Sequence, residues 1–597
     1  MSTAEFSFAC AWALVDEFVR GGVRHACVSP GSRSTALALA LSRHPSVTVH
    51  VHLDERSSGF VALGLAKALH EPVIVACTSG TAAAELLPAV VEASQSRVPL
   101  ILLTADRPPR LRGTGANQTI DQVELYGRYV RLYREPPVPA TPEDAAAWRE
   151  AASAALTVTD PRDRSKGPAH VNCPFDEPLT PVSGPAPAPS TIGQDGVERS
   201  YWWKAHVRRP APDLEADVER FFAEFHKTDG VVLAGTMDSE AAGSARRMAA
   251  ELQWPLVAEP TSRARGSARW AHPVVMSAGT MLLEDSTWIG AHTPEVVVQV
   301  GALPTSRAAQ ALAAAAGRLI VIDEGLPDPD PQGIATWRPR PLAQYLCSGI
   351  ANAWTDSHPP SPWLETWNAA DHAVRAAVDE LLDSWDEPSE MRVARDVARA
   401  VPLRSGRGLA PDPFGGTLFV GNSMPVRDLD AFMAPHGDLR VLANRGASGI
   451  DGLLSTALGV AASGTAPTVA LLGDLSFLYD VGALLWNARR GIDLVVVVND
   501  NGGGQIFAGL GQRDLPADEL DRLFVTPHGA DIEPLCRAAG AGYARVERAD
   551  ELFPAVRSAS ATGGLQVVQV MIDAERDRAR RTEIRETVAA TLETEPG

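Results

Sequence analysis

The sequence predicts an α/β protein of three consecutive doubly wound parallel-sheet domains. Three observations carry that reading. Short runs of nearly unbroken aliphatic and β-branched residues alternate with helical patterns throughout, as in strands covered on both faces of a parallel sheet. Two proline-rich stretches, PVSGPAPAPSTIGQDG at 181–196 and the weaker TDSHPPSPW at 355–363, divide that alternation into thirds and have the character of linkers. The 597 residues also suffice for three or four domains at roughly 150 residues each.

The elements follow in order. The N-terminal MSTAEFSFACAWALVDEF has no basic leader and reads as an amphipathic helix rather than a signal peptide. HACVSPGS is a strand ending at a Pro-Gly turn, and VTVHVHLDERSSGFVALGLAKA is a strand that passes into a helix near Asp54-Glu55-Arg56. PVIVACTSGTAAAELLPAVVEAS gives a strand, a turn and a helix, and VPLILLTADRP gives the next strand. The middle third repeats the grammar with GVVLAG, PEVVVQVG and RLIVID, and the last third with GTLFVG, TVALLGD, DLVVVVND and LQVVQVMID. Right-handed crossovers between such strands build doubly wound sheets. The segment 401–416, rich in Gly, Pro and Arg, is expected to be a flexible surface loop. The tail ERDRARRTEIRETVAATLETEPG is expected to be a charged helix with a solvated face and a frayed end. The resulting domains are 1–182, 200–355 and 375–597.

Composition narrows the function classes. With 54 basic and 73 acidic side chains the formal net charge is −19, which disfavours non-specific nucleic-acid binding and docking on anionic lipid. Anionic small molecules remain possible, because a few arginines reverse the field inside a pocket. The six cysteines are scattered without a CxxC pair, as expected in a reducing cytoplasm and against a zinc ribbon. No run approaches the ~18 apolar residues of a membrane span. P-loop, nucleophile-elbow and dinucleotide-binding glycine motifs are absent. His50 and His52 share one strand face, and a satisfied or exposed pair explains them better than a metal site does.

Ligands of open α/β sheets bind at the carboxyl ends of strands. There the most informative pair is Asp474, in Gly473-Asp474-Leu475-Ser476, and Asn501, in Asn499-Asp500-Asn501-Gly502-Gly503. One strand–helix–strand crossover sets such positions side by side. A carboxylate, an amide oxygen and a nearby carbonyl are hard ligands that suit Mg²⁺ on a diphosphate, and the helix after Gly473 offers amides to phosphate oxygens. The competing reading is two unrelated turns in which Asp and Asn act as helix caps. Glu55 also lies at a strand end, where an acidic residue is ordinarily a first-turn dipole partner.

The spaced pair resembles the GDG…NN signature of thiamine-diphosphate (ThDP) enzymes, with Leu475 where glycine is usual and Asn-Asp-Asn at the second half. More specifically, SPGSRSTALALAL, DERSSGF, TSGTAAAELLPAV, TADRPPRLRGTGANQTIDQ, GNSMPVRDLD, ANRGASGIDG, GDLSFLYDVGAL and NDNGGGQIF resemble the SEPHCHC synthases of menaquinone biosynthesis (the MenD family). The likeness is strong in the first and last thirds and general in the middle one. It implies three domains of the ThDP-enzyme type: an N-terminal pyrimidine-binding domain, a central domain and a C-terminal diphosphate-binding domain. The implied reaction is ThDP-dependent decarboxylation of 2-oxoglutarate and 1,4-addition of the succinyl carbanion equivalent to isochorismate. ThDP and Mg²⁺, or Mn²⁺, are the implied cofactors.

The resemblance also implies roles. Asp474, Asn501 and the Gly503 carbonyl hold the metal, Gly473, Leu475 and Ser476 lie along the diphosphate, and Glu55 hydrogen-bonds the aminopyrimidine. Ser423 and Met424 touch the pyrimidine, and Ile450 is the apolar wedge under the cofactor. Arg33, Arg107, Arg427 and Arg445 receive the carboxylates of two dianionic substrates, for which the guanidinium fork is suited. Ser32, Asn117, Gln118 and Ser423 add hydrogen bonds, and Ile506, Phe507 and Leu510 wall the pocket or simply pack in the core. Arg307 extends the basic pocket, whereas Arg97 is read as solvated. ThDP enzymes of this architecture place the cofactor between subunits, so a homodimer is the minimum active unit and a homotetramer is compatible. The rivals are a 2-oxoacid decarboxylase or acetohydroxyacid-synthase-like ligase, and a non-catalytic ThDP-fold protein that only binds a metabolite.

Overall fold

The computed structural model describes residues 2–161, 163, 165–181, 213–225, 227–265, 274–323, 328–353, 361–404, 414–487 and 491–594. The linker 181–196, except residue 181, the first part of 355–363 and the centre of the 401–416 loop lie outside the described residues, as do the last three residues of the tail. By its contacts the chain forms two compact units. The first comprises 1–208 with 444–465 and 478–492, and the second comprises the remainder.

The first unit holds a parallel sheet of β1 (His25–Val28), β2 (Thr48–Val51), β3 (Val73–Cys77), β4 (Leu100–Asp106), β5 (Leu132–Arg134) and β6 (Ala169–Pro174), in the order β2-β1-β3-β4-β6-β5. β3, β4 and β6 are wholly buried, as strands covered on both faces must be. The helix Thr3–Arg20 starts at a capping box between Ser2 and Glu5 and buries Trp12, Leu14 and Phe18 in the core with Trp148 and Phe175. The helix Glu55–Leu69 crosses the helix Leu453–Ala462 at two glycines. A Cβ on Gly64 would stand 2.0 Å from the Thr456 carbonyl oxygen, and one on Gly459 2.0 Å from that of Val61.

The second unit holds two parallel sheets. β7 (Gly230–Ala234), β8 (Leu256–Ala258), β9 (Val296–Val300) and β10 (Arg318–Ile322) lie in the order β10-β9-β7-β8. β11 (Gly416–Val420), β12 (Leu439–Leu442), β13 (Thr468–Gly473), β14 (Leu494–Asp500), β15 (Gly542–Val546) and β16 (Leu565–Met571) lie in the order β12-β11-β13-β14-β16-β15. This repeats the topology of the first sheet. In both six-stranded sheets the strand order reverses at the first and third strands, the place where such folds bind ligands.

Two expectations need correction. The boundary at 375 falls inside the helix Pro362–Ser384, whose Trp367, Val374, Val378 and Leu382 join the core of the four-stranded sheet. Ser361, inside the second proposed linker, caps that helix by accepting the Leu364 amide at 3.1 Å. The C-terminal helix Ala574–Thr594 is no solvated face either. Ile584, Val588 and Leu592, spaced by four, form a narrow apolar stripe in the same core, hidden in the sequence by the charges around it.

Candidate active site

Two arginines of the first unit lie at strand ends. Arg33 follows β1 and is buried, donating from Nη1 to the Phe175 carbonyl and from Nη2 to Glu177 Oε1, both at 3.0 Å. Arg107 follows β4, is also buried, and donates to Ser79 Oγ and, at 2.8 Å, to the Gln118 carbonyl. Burial and the charge of Arg33 both lower the pKa of Arg107. The charges of Asp106 and of Glu177, the carboxylate partner of Arg33, oppose that lowering. Gln118 has a left-handed backbone, φ 53, and its amide donates to the Ser79 carbonyl at 2.9 Å. Ser32, which precedes Arg33, is exposed, as are Asn117 and Gln118 in the loop after β4.

Glu55 is the first residue of its helix, after Asp54, whose carboxylate caps it by accepting the Ser57 amide at 3.2 Å. Glu55 itself is half-buried, and burial raises its pKa. Its helix is pinned by a 2.7 Å hydrogen bond between the Ser57 and Ser455 hydroxyls. Buried Asp480 adds to this by accepting the Ser455 amide at 2.7 Å and pairing with Arg56 at 3.6 Å. Arg445 is half-buried and Ile450 is exposed. His50 faces His25 at 3.2 Å between ring nitrogens, and His52 is buried. Arg97 is half-buried and its charge helps lower the pKa of Arg131, so it is not simply solvated.

In the second unit Asp474 and Asn501 converge. β13 and β14 pair in parallel with Gly473 opposite Asn499, which brings the two strand-end loops together. Asp474 Oδ2 accepts the Gly503 amide at 2.8 Å, and Asn501 Oδ1 approaches the same amide at 3.3 Å. The side-chain amide of Asn501 is oriented by donation from Nδ2 to Glu390 Oε1 at 2.7 Å, which leaves its oxygen toward the Gly503 amide. Gly503 has φ 144, and a Cβ there would lie 2.3 Å from the Val525 carbonyl oxygen, so only glycine fits. Burial, with the Asp500 charge behind it, pushes Asp474 up to about 6. These crowded, hard oxygen donors suit a divalent cation.

Leu475 donates its amide to Asp474 Oδ1 at 2.6 Å, and Ser476 is buried in the same turn. Ser423, at the end of β11, has the strained backbone φ 70, and its carbonyl accepts from Arg427 Nη1 at 2.5 Å. Met424 starts the following helix and Arg427 is exposed on it. Ile506 and Phe507 lie in a short 3₁₀ turn followed by Leu510. All three are half-buried, and Phe507 meets Phe524 at 5.5 Å between ring centroids. Arg307 is exposed at the start of the helix Arg307–Ala315.

Several residues escaped sequence reasoning. His528 Nε2 lies 3.3 Å from Asp474 and 3.4 Å from Asp500, and these three side chains form the metal-competent cluster among the described residues. Glu390, which orients Asn501, is held by Arg581 of the C-terminal helix. Arg581 also grips Asp428 at 2.6 Å, beside Arg427. Their sequence neighbourhood gave no signal: Glu390 opens the helix Glu390–Ala400 and His528 lies in a loop far from either neighbouring strand.

Comparison with known proteins decides the family. Residues 9–125 match the thiamine pyrophosphate enzyme N-terminal TPP binding domain, and residues 428–570 the C-terminal TPP binding domain. A protein of Thermobifida fusca named 2-succinyl-5-enolpyruvyl-6-hydroxy-3-cyclohexene-1-carboxylate synthase is 41% identical over 98% of this chain and 99% of its own length. The chain belongs to that synthase family. Synthases of the same name from Chloroflexus aurantiacus, at 39% identity over 94% of this chain and 92% of theirs, and Halobacterium salinarum, at 37% over 97% of each, agree. Residues 9–125 hold β1 to β4 of one six-stranded sheet, and residues 428–570 hold β12 to β15 and all but the last residue of β16 of the other.

Proposed function

We propose that the protein is a ThDP- and divalent-cation-dependent carboligase that decarboxylates 2-oxoglutarate and adds the resulting four-carbon unit to isochorismate. The observation that carries this reading is the convergence of Asp474 and Asn501 on the Gly503 amide, in a chain whose full-length relatives bear the synthase name. When bound, ThDP supplies the nucleophilic carbon and the electron sink that decarboxylation of a 2-oxoacid requires.

The chain's own residues do the rest. Asp474, Asn501 and the Gly503 carbonyl hold the cation against the diphosphate, with Gly473, Leu475 and Ser476 alongside. Glu55, its proton affinity raised by burial, shares a proton with N1′ of the aminopyrimidine. Ser423 and Met424 border that ring and Ile450 supports it. Arg33, Arg107, Arg427 and Arg445 bind substrate carboxylates, assisted by Ser32, Asn117 and Gln118. Ile506, Phe507 and Leu510 exclude water, which strengthens every one of those ion pairs. Glu55 and Asp474 of one site come from different copies of the chain, so the active unit is at least a dimer.

The test is CO₂ release from 2-oxoglutarate with ThDP and Mg²⁺, with and without isochorismate. Rapid release should require isochorismate, and Glu55→Gln should lower it by about 10²–10⁴-fold. Fast release indifferent to isochorismate would instead identify a plain decarboxylase, and no release from any oxoacid a non-catalytic binding protein.

A further inference from the structure

Glu92 is a buried carboxylate on the helix Leu87–Gln95 that none of the roles above uses. Its Oε1 accepts the Gly446 amide at 3.0 Å and its Oε2 accepts the Ala447 amide at 2.6 Å. Lys67, from the helix that begins at Glu55, donates to Glu92 Oε1 at 3.2 Å and to Asn444 Oδ1 at 2.9 Å. Asn444 in turn donates to the Thr456 hydroxyl at 2.9 Å, which donates to the Gly452 carbonyl at 2.8 Å. Arg445 is thus flanked by residues fixed on both sides. The approach is close: a Cβ on Gly446 would lie 2.7 Å from the Glu92 carbonyl oxygen and 2.8 Å from Gln95 Cβ.

A buried ion pair is seldom a net source of stability, and apolar side chains of similar volume hold two helices together as well. What they cannot do is dock two consecutive backbone amides and the side chain on the other side of one arginine. We propose that Glu92 and Lys67 are positioning residues that fix the backbone of Arg445, so that its guanidinium meets a substrate carboxylate in register. The proposal rests on Arg445 being a carboxylate-binding arginine of the reaction given above. Because Lys67 shares its helix with Glu55, one rigid element sets both the proton-sharing carboxyl and this arginine.

The experiment uses the full-length enzyme with ThDP and Mg²⁺. Glu92→Gln keeps the shape but turns one acceptor into a donor facing donors. Its KM for one substrate should rise about tenfold or more, since small misplacements of a binding group are costly, with ThDP affinity unchanged. Amide hydrogen exchange in 443–452 should quicken. Arg445→Ala should raise the same KM, and adding Glu92→Gln to it should change nothing further. Additive effects, or unaltered exchange in that segment, would overturn the proposal. If Glu92→Gln does not fold, Glu92→Gln with Lys67→Met buries no unpaired charge and carries the same expectations. A wild-type enzyme without turnover would sink the proposed reaction alone, because the exchange measurement still judges the clamp.

Discussion

At the scale of single residues, the diphosphate end is specified by geometry that few side chains can meet. Gly503 combines φ 144 with a carbonyl oxygen where its Cβ would go. Gly503→Ala must therefore shift the loop that presents its amide to both Asp474 and Asn501. The expected result is a folded protein whose Mg²⁺-dependent ThDP binding weakens by about 100-fold, in line with the loss of one ligand's support in other metal sites. Titration calorimetry with ThDP and Mg²⁺ measures it, and unchanged affinity would show that the loop tolerates the methyl group. Asp474 and Asn501 were legible because each directly follows an apolar strand. His528 and Glu390 were not: they stand 54 and 111 positions from the residues they contact, and only the fold brings them in. The clamp of Glu92 on residues 446 and 447 was hidden for the same reason.

At the scale of elements, buried parallel strands announced themselves as apolar runs, whereas strands at sheet edges or carrying polar networks did not. β5 and β15 are largely half-exposed, and β6 buries His170 and Asn172 among its apolar residues, so none reads as a continuous run. Likewise the charges of the C-terminal helix concealed its stripe of three apolar residues. The crossing of Glu55–Leu69 with Leu453–Ala462 has a sharper sequence basis, since both helices are glycine-notched where they touch. Gly64→Ala would drive a methyl into the Thr456 carbonyl at 2.0 Å. It should destabilise the protein by about 1–3 kcal/mol and, by moving the Glu55 helix, lower kcat. Gly243→Ala is the control: its Cβ meets nothing within 4 Å, so helix propensity alone predicts about 0.5–1 kcal/mol of added stability. Urea midpoints for the two variants should move in opposite directions. Equal shifts would mean that the crossing yields without cost.

At the scale of the whole molecule, stability against pH is a balance of buried groups with opposite signs. Asp474 and Asp480 are each pushed up to about 6, chiefly by burial, and burial also raises Glu390. Their folded forms hold protons more tightly than the unfolded chain does, so without bound cation they add stability as pH falls through that range. His170 works against them. It is fully buried, bonded to the Thr104 hydroxyl at 2.7 Å and packed against Tyr126 and Tyr133, and burial lowers its pKa to about 3. A folded pKa below the unfolded one means that the unfolded chain takes up the proton first. Stability from this group is whole above the ordinary value of 6.5 and is lost as pH falls toward about 3. The slope is about 1.4 kcal/mol per pH unit. His170→Gln keeps a partner for Thr104 but has nothing to titrate. Urea unfolding at several pH values between 7 and 4 should therefore show the stability gap between wild type and variant shrinking by about that slope as pH falls. The carboxylates cancel from this difference because both proteins carry them. Parallel curves for the two proteins would show that His170 is protonated in the folded state without penalty, and that the buried Thr104–His170–Asn172 network opens to admit it.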